Sequence, residues 1–259
     1  MITVSAFPQA GGAETFGAAE VLLGEALSRE PQGDMLLALK LGVLPGPVYD
    51  ARAESLVAAL DASLARLGRS SVDIALLLRP DLLVHPAEIA AAFSTLIRSG
   101  RVRAIGVANH SPARIRALLA HLDCPLAVAL SPLSILDPAA MTGGLLDLAM
   151  ERGFAMIASA PLAEGQLGDR PGQEANITAR GVLRGLEAIA GQHQVSRAVV
   201  AAAFVAVHPA GPIPLFGTQD PHELAGLAAI HEVRFARNQW YRLLEAALGE
   251  RLPAGEAER

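Results

Sequence analysis

Lys40 is the one lysine among the 21 lysine and arginine residues of this chain, so the other 20 are arginine. A GC-biased genome turns surface lysines into arginines freely. A position that stays lysine against that drift can be one that needs a compact amine able to release its proton. Survival by chance is the other reading, and the place of the residue in the fold has to decide. A second stretch with chemical content is DIALLLRPD (73–81), an apolar run opened by Asp73 and closed by Arg79-Pro80-Asp81, with Leu78 its last apolar residue. Cys124 is the single cysteine. It permits no internal disulfide and fits a reducing compartment. A lone thiol with no basic neighbour in sequence reads as a small buried residue rather than a nucleophile.

The elements that must hold these residues are legible from patterning. With 52% hydrophobic against 18% charged residues, the chain can bury a large core and is not disordered. A net charge of −5 offers no basic footprint, so no nucleic-acid partner is expected. The opening MITVSAFPQAGG lacks a charged region and a cleavage-type site, so it is not read as a signal peptide. The longest apolar run, AVVAAAFVAV (198–207), is about half the ~20 residues a membrane helix needs. A cytoplasmic chain without a membrane partner is the expectation.

Strand-like runs occur at 2–6, 35–42, 73–78, 102–108, 126–130, 154–159 and 213–217. Amphipathic stretches alternate with them, several opened by proline or a hydroxyl residue and closed by glycine, the ordinary start and stop signals of helices. Strands without polar alternation, joined by helices, predict a parallel sheet covered on both faces. Seven such units predict an α/β fold of the TIM-type (β/α) barrel kind with seven of eight strands. A doubly wound sheet is the competitor, but no glycine-rich fingerprint follows the first strand. No linker divides the chain, so residues 1–252 read as one barrel domain and 253–259 as a polar tail.

Several segments, in this order along the chain, resemble the aldo-keto reductases, in particular their bacterial NADP-dependent branch. They are LGEAL (23–27), ALKLG (38–42), SLARLGRSSVDIALLLRPD (63–81), LIRSGRVRAIGVANHSPARI (96–115), SAPLAEGQL (159–167), IPLFGTQDPHEL (213–224) and RNQWYRLLEAALG (237–249). The resemblance implies an eight-stranded barrel that reduces carbonyls with NADPH. It also implies that the first strand and helix of the barrel are absent here, with ITVSA aligned on the second strand. The edges left at ITVSA and IPLFG would then need covering, by each other, by a second copy of the chain or by residues upstream of Met1, the second copy being the expectation.

Four groups carry the chemistry that the resemblance implies: a tyrosine acid, a lysine that lowers its pKa, an aspartate that holds the lysine, and a histidine that orients the substrate. On this sequence the lysine falls on Lys40. Ser5 takes the place of the aspartate, Ala10 of the tyrosine and Leu78 of the histidine. Tyr49 is a weak stand-in for the acid, and His110, after Asn109, is a second donor, although a solvent-facing loop is the plainer reading of it. Tyr241 reads as a packing residue, and Phe16, reached by shifting a gap, carries no proton. Of the cofactor contacts, Asn109 survives from a Ser-Asn pair (Ala108-Asn109), Leu130 replaces a glutamine and Ser159 an aromatic ring. Gly217-Thr218 could cradle an anion, but the phosphate-gripping places fall on Asp220 and Glu223, and carboxylates repel a phosphate.

These replacements predict a family member that has lost normal NADPH-dependent carbonyl reduction and serves as a binding or partner subunit, with no cofactor or weak NAD(P)H and a small carbonyl compound as ligand. Its mouth would be lined by Ala10, Leu78, Leu130 and Ser159. The alternative is an active NAD(P)H-dependent reductase of aldehydes or ketones with a rearranged site. Lys40, without a carboxylate at Ser5, would drift toward a neutral nucleophilic amine able to form a Schiff base, or else be a leftover that reaches solvent.

Overall fold

The computed structural model describes residues 2–5, 16–29, 35–45, 48–169, 177–218 and 220–252. Their contacts divide the chain into two compact units, 1–130 and 131–259.

The first unit alternates strands and helices: β1 (Ile2–Ser5), α1 (Ala18–Arg29), β2 (Leu37–Leu41), a short ribbon of β3 (Val43–Leu44) and β4 (Val48–Tyr49), α2 (Ala53–Leu67), β5 (Val72–Leu77), α3 (Pro86–Arg98), β6 (Val102–Ala108), α4 (Pro112–Leu119) and β7 (Leu126–Pro132), which runs past the boundary. Strands β1, β2, β5, β6 and β7 pair in that order, all parallel. Ala38, Leu39, Ala75, Leu76, Leu77, Ile105 and Val107 are all but fully buried, as expected of a sheet covered on both faces. Helix starts follow the sequence signals. Ser111 accepts the Arg114 N–H ahead of Pro112, and His85 accepts the Ala87 N–H ahead of Pro86.

Helices α1 and α2 cross closely at Gly24, where a Cβ would stand 2.7 Å from the Leu67 carbonyl oxygen. Beside that crossing the fully buried Glu20 accepts a 2.6 Å bond from the Arg66 guanidinium, which also donates to Ser63. The ribbon β3–β4 is antiparallel, with Val43 opposite Tyr49. Tyr49 therefore lies on a strand. Two-residue strands are too short to leave a period in the sequence.

Asp50, directly after the ribbon, accepts from the Arg52 side chain and main-chain N–H and, at 2.6 Å, from the Ser55 hydroxyl, so it organises the start of α2. The Arg52 guanidinium holds its carboxyl well below the usual carboxylate range, against the opposing effect of burial. A depressed folded pKa means stability that is present above the unfolded value and lost as pH falls through the folded one. Asp50→Ala is therefore expected to cost about 1–2 kcal/mol at pH 7 through the lost Ser55 and main-chain bonds. The gap from wild type should narrow below about pH 3.9. Urea unfolding at pH 7 and pH 3 checks both.

The second unit holds α5 (Ala139–Thr142), α6 (Leu145–Arg152), β8 (Ala155–Ser159), α7 (Ile177–His193), α8 (Arg197–Ala206), β9 (Ile213–Pro214), α9 (Pro221–Gly226), a 3-10 segment (Leu227–Glu232) and α10 (Arg237–Leu248). β8 and β9 pair in parallel, Ile157 with Ile213. Strand β9 is shorter than the expected 213–217, though the Leu215 N–H still donates to Ala158 O. The apolar run at 198–207 forms α8, and its residues Val199 to Val205 are buried. Phe204 stacks on Trp240 at 4.6 Å, and the indole N–H donates to the Phe204 carbonyl. Among the described residues no helix is long and apolar enough to cross a membrane.

Candidate functional site

Lys40 is the fourth residue of β2, one residue from its C-terminal end. In register it stands between Ser5 of β1 and Leu76 of β5. Registered residues of a parallel sheet share a face, so the half-buried Lys40 lies beside a leucine with no exposed surface. Burial, and after it the positive charge of Arg79, push the ammonium below its ordinary pKa. Among the described residues Lys40 forms no ion pair. Ala10 lies outside the described residues. Ser5 is placed by its backbone at the expected register position.

Leu78 follows β5 directly, is half-buried, and donates its N–H to Leu41 O at 2.9 Å. It stands at the strand ends, as expected, and brings no polar side-chain group there. Asn109 takes a left-handed φ of 60°, which asparagine tolerates better than most residues. Its main-chain N–H donates to Leu130 O at 2.8 Å and its amide Nδ2 donates to Leu78 O at 3.0 Å. The side chain thus ties β6 to the end of β5, a structural duty that its motif did not reveal. Leu130 itself is buried.

His110 corrects the solvent-facing expectation. It is 7% exposed, with Nδ1 2.9 Å from Ala108 O, an arrangement that makes Nδ1 the donor and leaves Nε2 an acceptor. Burial, with the Arg114 charge adding to it, holds its pKa below the ordinary value against the Ala108 bond, so the ring is neutral near pH 7. The left-handed turn at Asn109 folds the chain back and carries the ring inward. His110 lines a cavity of about 380 Å³ together with Asp81, His85 and Arg114. Tyr49, the other stand-in, is 50% exposed on β4. Tyr241 meets Trp240 edge-on with Arg237 over its ring, the packing role expected of it. The Phe16 ring lies under Arg66. The Cys124 thiol is half-buried and pushed up by burial and Asp123, which suits an inert thiol.

Two residues that the sequence showed only as the close of the DIALLLRPD run, with no role assigned, organise this region. Arg79 supplies the cation beside Lys40. Asp81 accepts the Ala51 and Leu83 N–H groups and so fixes the chain before α2 and before α3. An Asp after Pro at a strand end, ready to form such a turn, was the available signal.

In the second unit, Ser159 ends β8, and its carbonyl accepts the Leu133 N–H. Gly217 is exposed, and a Cβ there would meet nothing within 4 Å, so no close backbone approach requires glycine. The Thr218 hydroxyl donates to Glu223 at 2.7 Å, and Asp220 caps α9 by accepting the His222 N–H at 2.8 Å. Both carboxylates are thus engaged at the places where the resemblance puts a phosphate clamp. The 2′-phosphate of NADPH does not fit such a donor set, whereas NADH carries no group there to be repelled. No cluster of three His, Cys, Asp or Glu among the described residues could hold a metal.

The model of the aldo/keto reductase family matches residues 11–247. A 6-dehydroglucose reductase of Novosphingobium aromaticivorans is 41% identical over 244 residues, which are 93% of this chain and 79% of that protein. A protein of the same name from Agrobacterium fabrum is 29% identical over 202 residues, 78% of this chain and 66% of that one. Among solved structures, the glycerol dehydrogenase of Gluconobacter oxydans superimposes with a TM-score of 0.80 at 20% identity, over 95% of this chain and 82% of its own. At that identity the likeness shows the fold alone, and the fold is the expected α/β one of the barrel reductases. With the family model spanning residues 11–247 and a relative 41% identical across nearly the whole sequence, the chain belongs to the aldo/keto reductase family.

Proposed function

We propose that this chain is a reductase of the aldehyde group of an oxidised sugar, with a rearranged site and with no preference for NADPH over NADH. The observation that carries the reading is the 41% identity to a protein named 6-dehydroglucose reductase. It supports an active enzyme over the loss of function that the replaced residues suggested. A reduced nicotinamide would supply the hydride. The chain's own contribution centres on Lys40, whose ammonium hydrogen-bonds the carbonyl oxygen and passes it a proton as negative charge builds. A lysine whose pKa is lowered toward the working pH suits that task, since general acids act best near it. The decisive assay is NADH oxidation followed by absorbance with 6-dehydroglucose and simple aldehydes. Turnover with the sugar aldehyde supports the reading, and its absence with every aldehyde rejects it.

A second reading, a non-catalytic binding subunit, draws on one observation: Leu78 sets an apolar side chain where the resemblance places the substrate-orienting histidine. It expects carbonyl ligands to bind without turnover in the same assay.

The cofactor preference has its own expected result. An exposed carboxylate close to a phosphate costs on the order of 1 kcal/mol per unit charge in water. Asp220 and Glu223 together should erase a preference for NADPH without abolishing dinucleotide binding. Calorimetry should find NADH bound at least as tightly as NADPH. A clearly tighter NADPH complex would show that the phosphate is held elsewhere.

A further inference from the structure

We propose that the Lys40 amine is a nucleophile that forms a reversible imine with small aldehydes, without any dinucleotide. Its setting differs from that of an ordinary surface lysine in three ways. It is half-buried one residue from the end of a strand, beside the fully buried Leu76. Its charged neighbour is Arg79, a cation. Among the described residues no carboxylate pairs with it, and the residue across the sheet in register is Ser5. A protonated amine is stabilised by water and by anions, and both are scarce here. A larger share of free amine than an ordinary lysine has is therefore expected beside the ammonium, in agreement with the direction of its pKa. Arg79 would discourage an iminium as well, so the adduct is expected to be reversible and to turn over.

The step balances without an oxidant or a reductant. The amine lone pair adds to the carbonyl carbon, the two amine protons pass through solvent to the former carbonyl oxygen, and the carbon–oxygen bond breaks as water leaves. The carbon–nitrogen double bond that remains is hydrolysed by the reverse route. This chemistry needs no hydride source, so it stands or falls apart from the proposed reductase activity.

The chain suits a direct test because Lys40 is its sole lysine. The only amines are its Nζ and the N-terminus. The protein is incubated at pH 7.5 with propanal and cyanoborohydride, which fixes the imine as a secondary amine, and peptide mass mapping gives the rate at each amine. Lys40 is expected to be alkylated on the order of tenfold faster than the side chain of Nα-acetyl-lysine amide under the same conditions. Arg79→Glu, a change at an exposed position, should slow labelling by supplying a carboxylate, and Lys40→Arg should leave label at the N-terminus alone. Circular dichroism confirms that the variants fold. Labelling of Lys40 no faster than the model amide, or confined to the N-terminus in the wild type, would overturn the proposal. An unchanged rate in a folded Arg79→Glu protein would refute the part assigned to the local charge.

Discussion

Lys40→Met is expected to lower kcat for aldehyde reduction by about 10²–10⁴-fold, the usual worth of a positioned general acid. The methionine keeps a similar apolar stem beside Leu76, so the fold should hold and KM should change little. The more informative variant is Lys40→Arg. Arginine preserves the positive charge but cannot give up a proton near neutral pH. If Lys40 acted only by attracting the carbonyl oxygen, arginine would retain much of the rate. As the proton source it should fail almost as completely as methionine. A Lys40→Arg enzyme within a few-fold of wild type would reassign the proton to another donor. Tyr49 on the exposed ribbon is then the group to vary next. Steady-state kinetics of the three proteins, at matched circular dichroism, separates these outcomes.

The parts of the molecule that were legible in the sequence are those whose signal is local. β6 occupies the expected 102–108, and β5, β7 and β8 fall within two residues of expectation, because continuous apolar runs bounded by Asp, Pro or Gly have few other uses. Helix α8 was harder. Its run has no polar face, so no period distinguishes a core helix from a strand, and only Ser196 at its cap marks the start. The ribbon β3–β4 left no signal at all. Lys40 stood out by rarity, but its neighbours did not, since Leu76 reaches it through strand register and the Arg79 charge comes from the chain just after β5, neither of them near it in sequence. His110 and Asn109 illustrate the same limit. One left-handed residue turned an expected surface loop inward and gave the asparagine amide a structural partner on another strand. Residue types announce candidate chemistry, but whether a side chain is desolvated depends on neighbours brought in from other strands.

Gly106→Val should be the most disruptive single change in the first unit. Gly106 lies mid-strand in β6, opposite Leu76 of β5, with Val128 of β7 on the other side next to a register shift. A Cβ at this position would stand 2.5 Å from Leu76 Cδ2, 2.5 Å from Val128 Cγ1 and 2.6 Å from the Val128 carbonyl oxygen. The first two contacts could relax by side-chain rotation. The third is backbone, held in the ladder between strands, and cannot move without breaking sheet hydrogen bonds. Alanine should therefore cost about 1–3 kcal/mol, the usual range for overpacking, and valine on the order of 4 kcal/mol or more. Those losses are a large part of a typical domain's 5–15 kcal/mol. Gly181→Ala, in α7, is the contrasting substitution, since the nearest atom to its Cβ would be Ala246 Cβ at 4.0 Å. It should stabilise by about 0.5–1 kcal/mol, because glycine in a helix interior carries an entropic cost that alanine does not. Urea midpoints for the three variants should rank Gly181→Ala above wild type, then Gly106→Ala, then Gly106→Val. A Gly106→Val protein as stable as wild type would mean that β6 and β7 lie farther apart at this point than the structure places them.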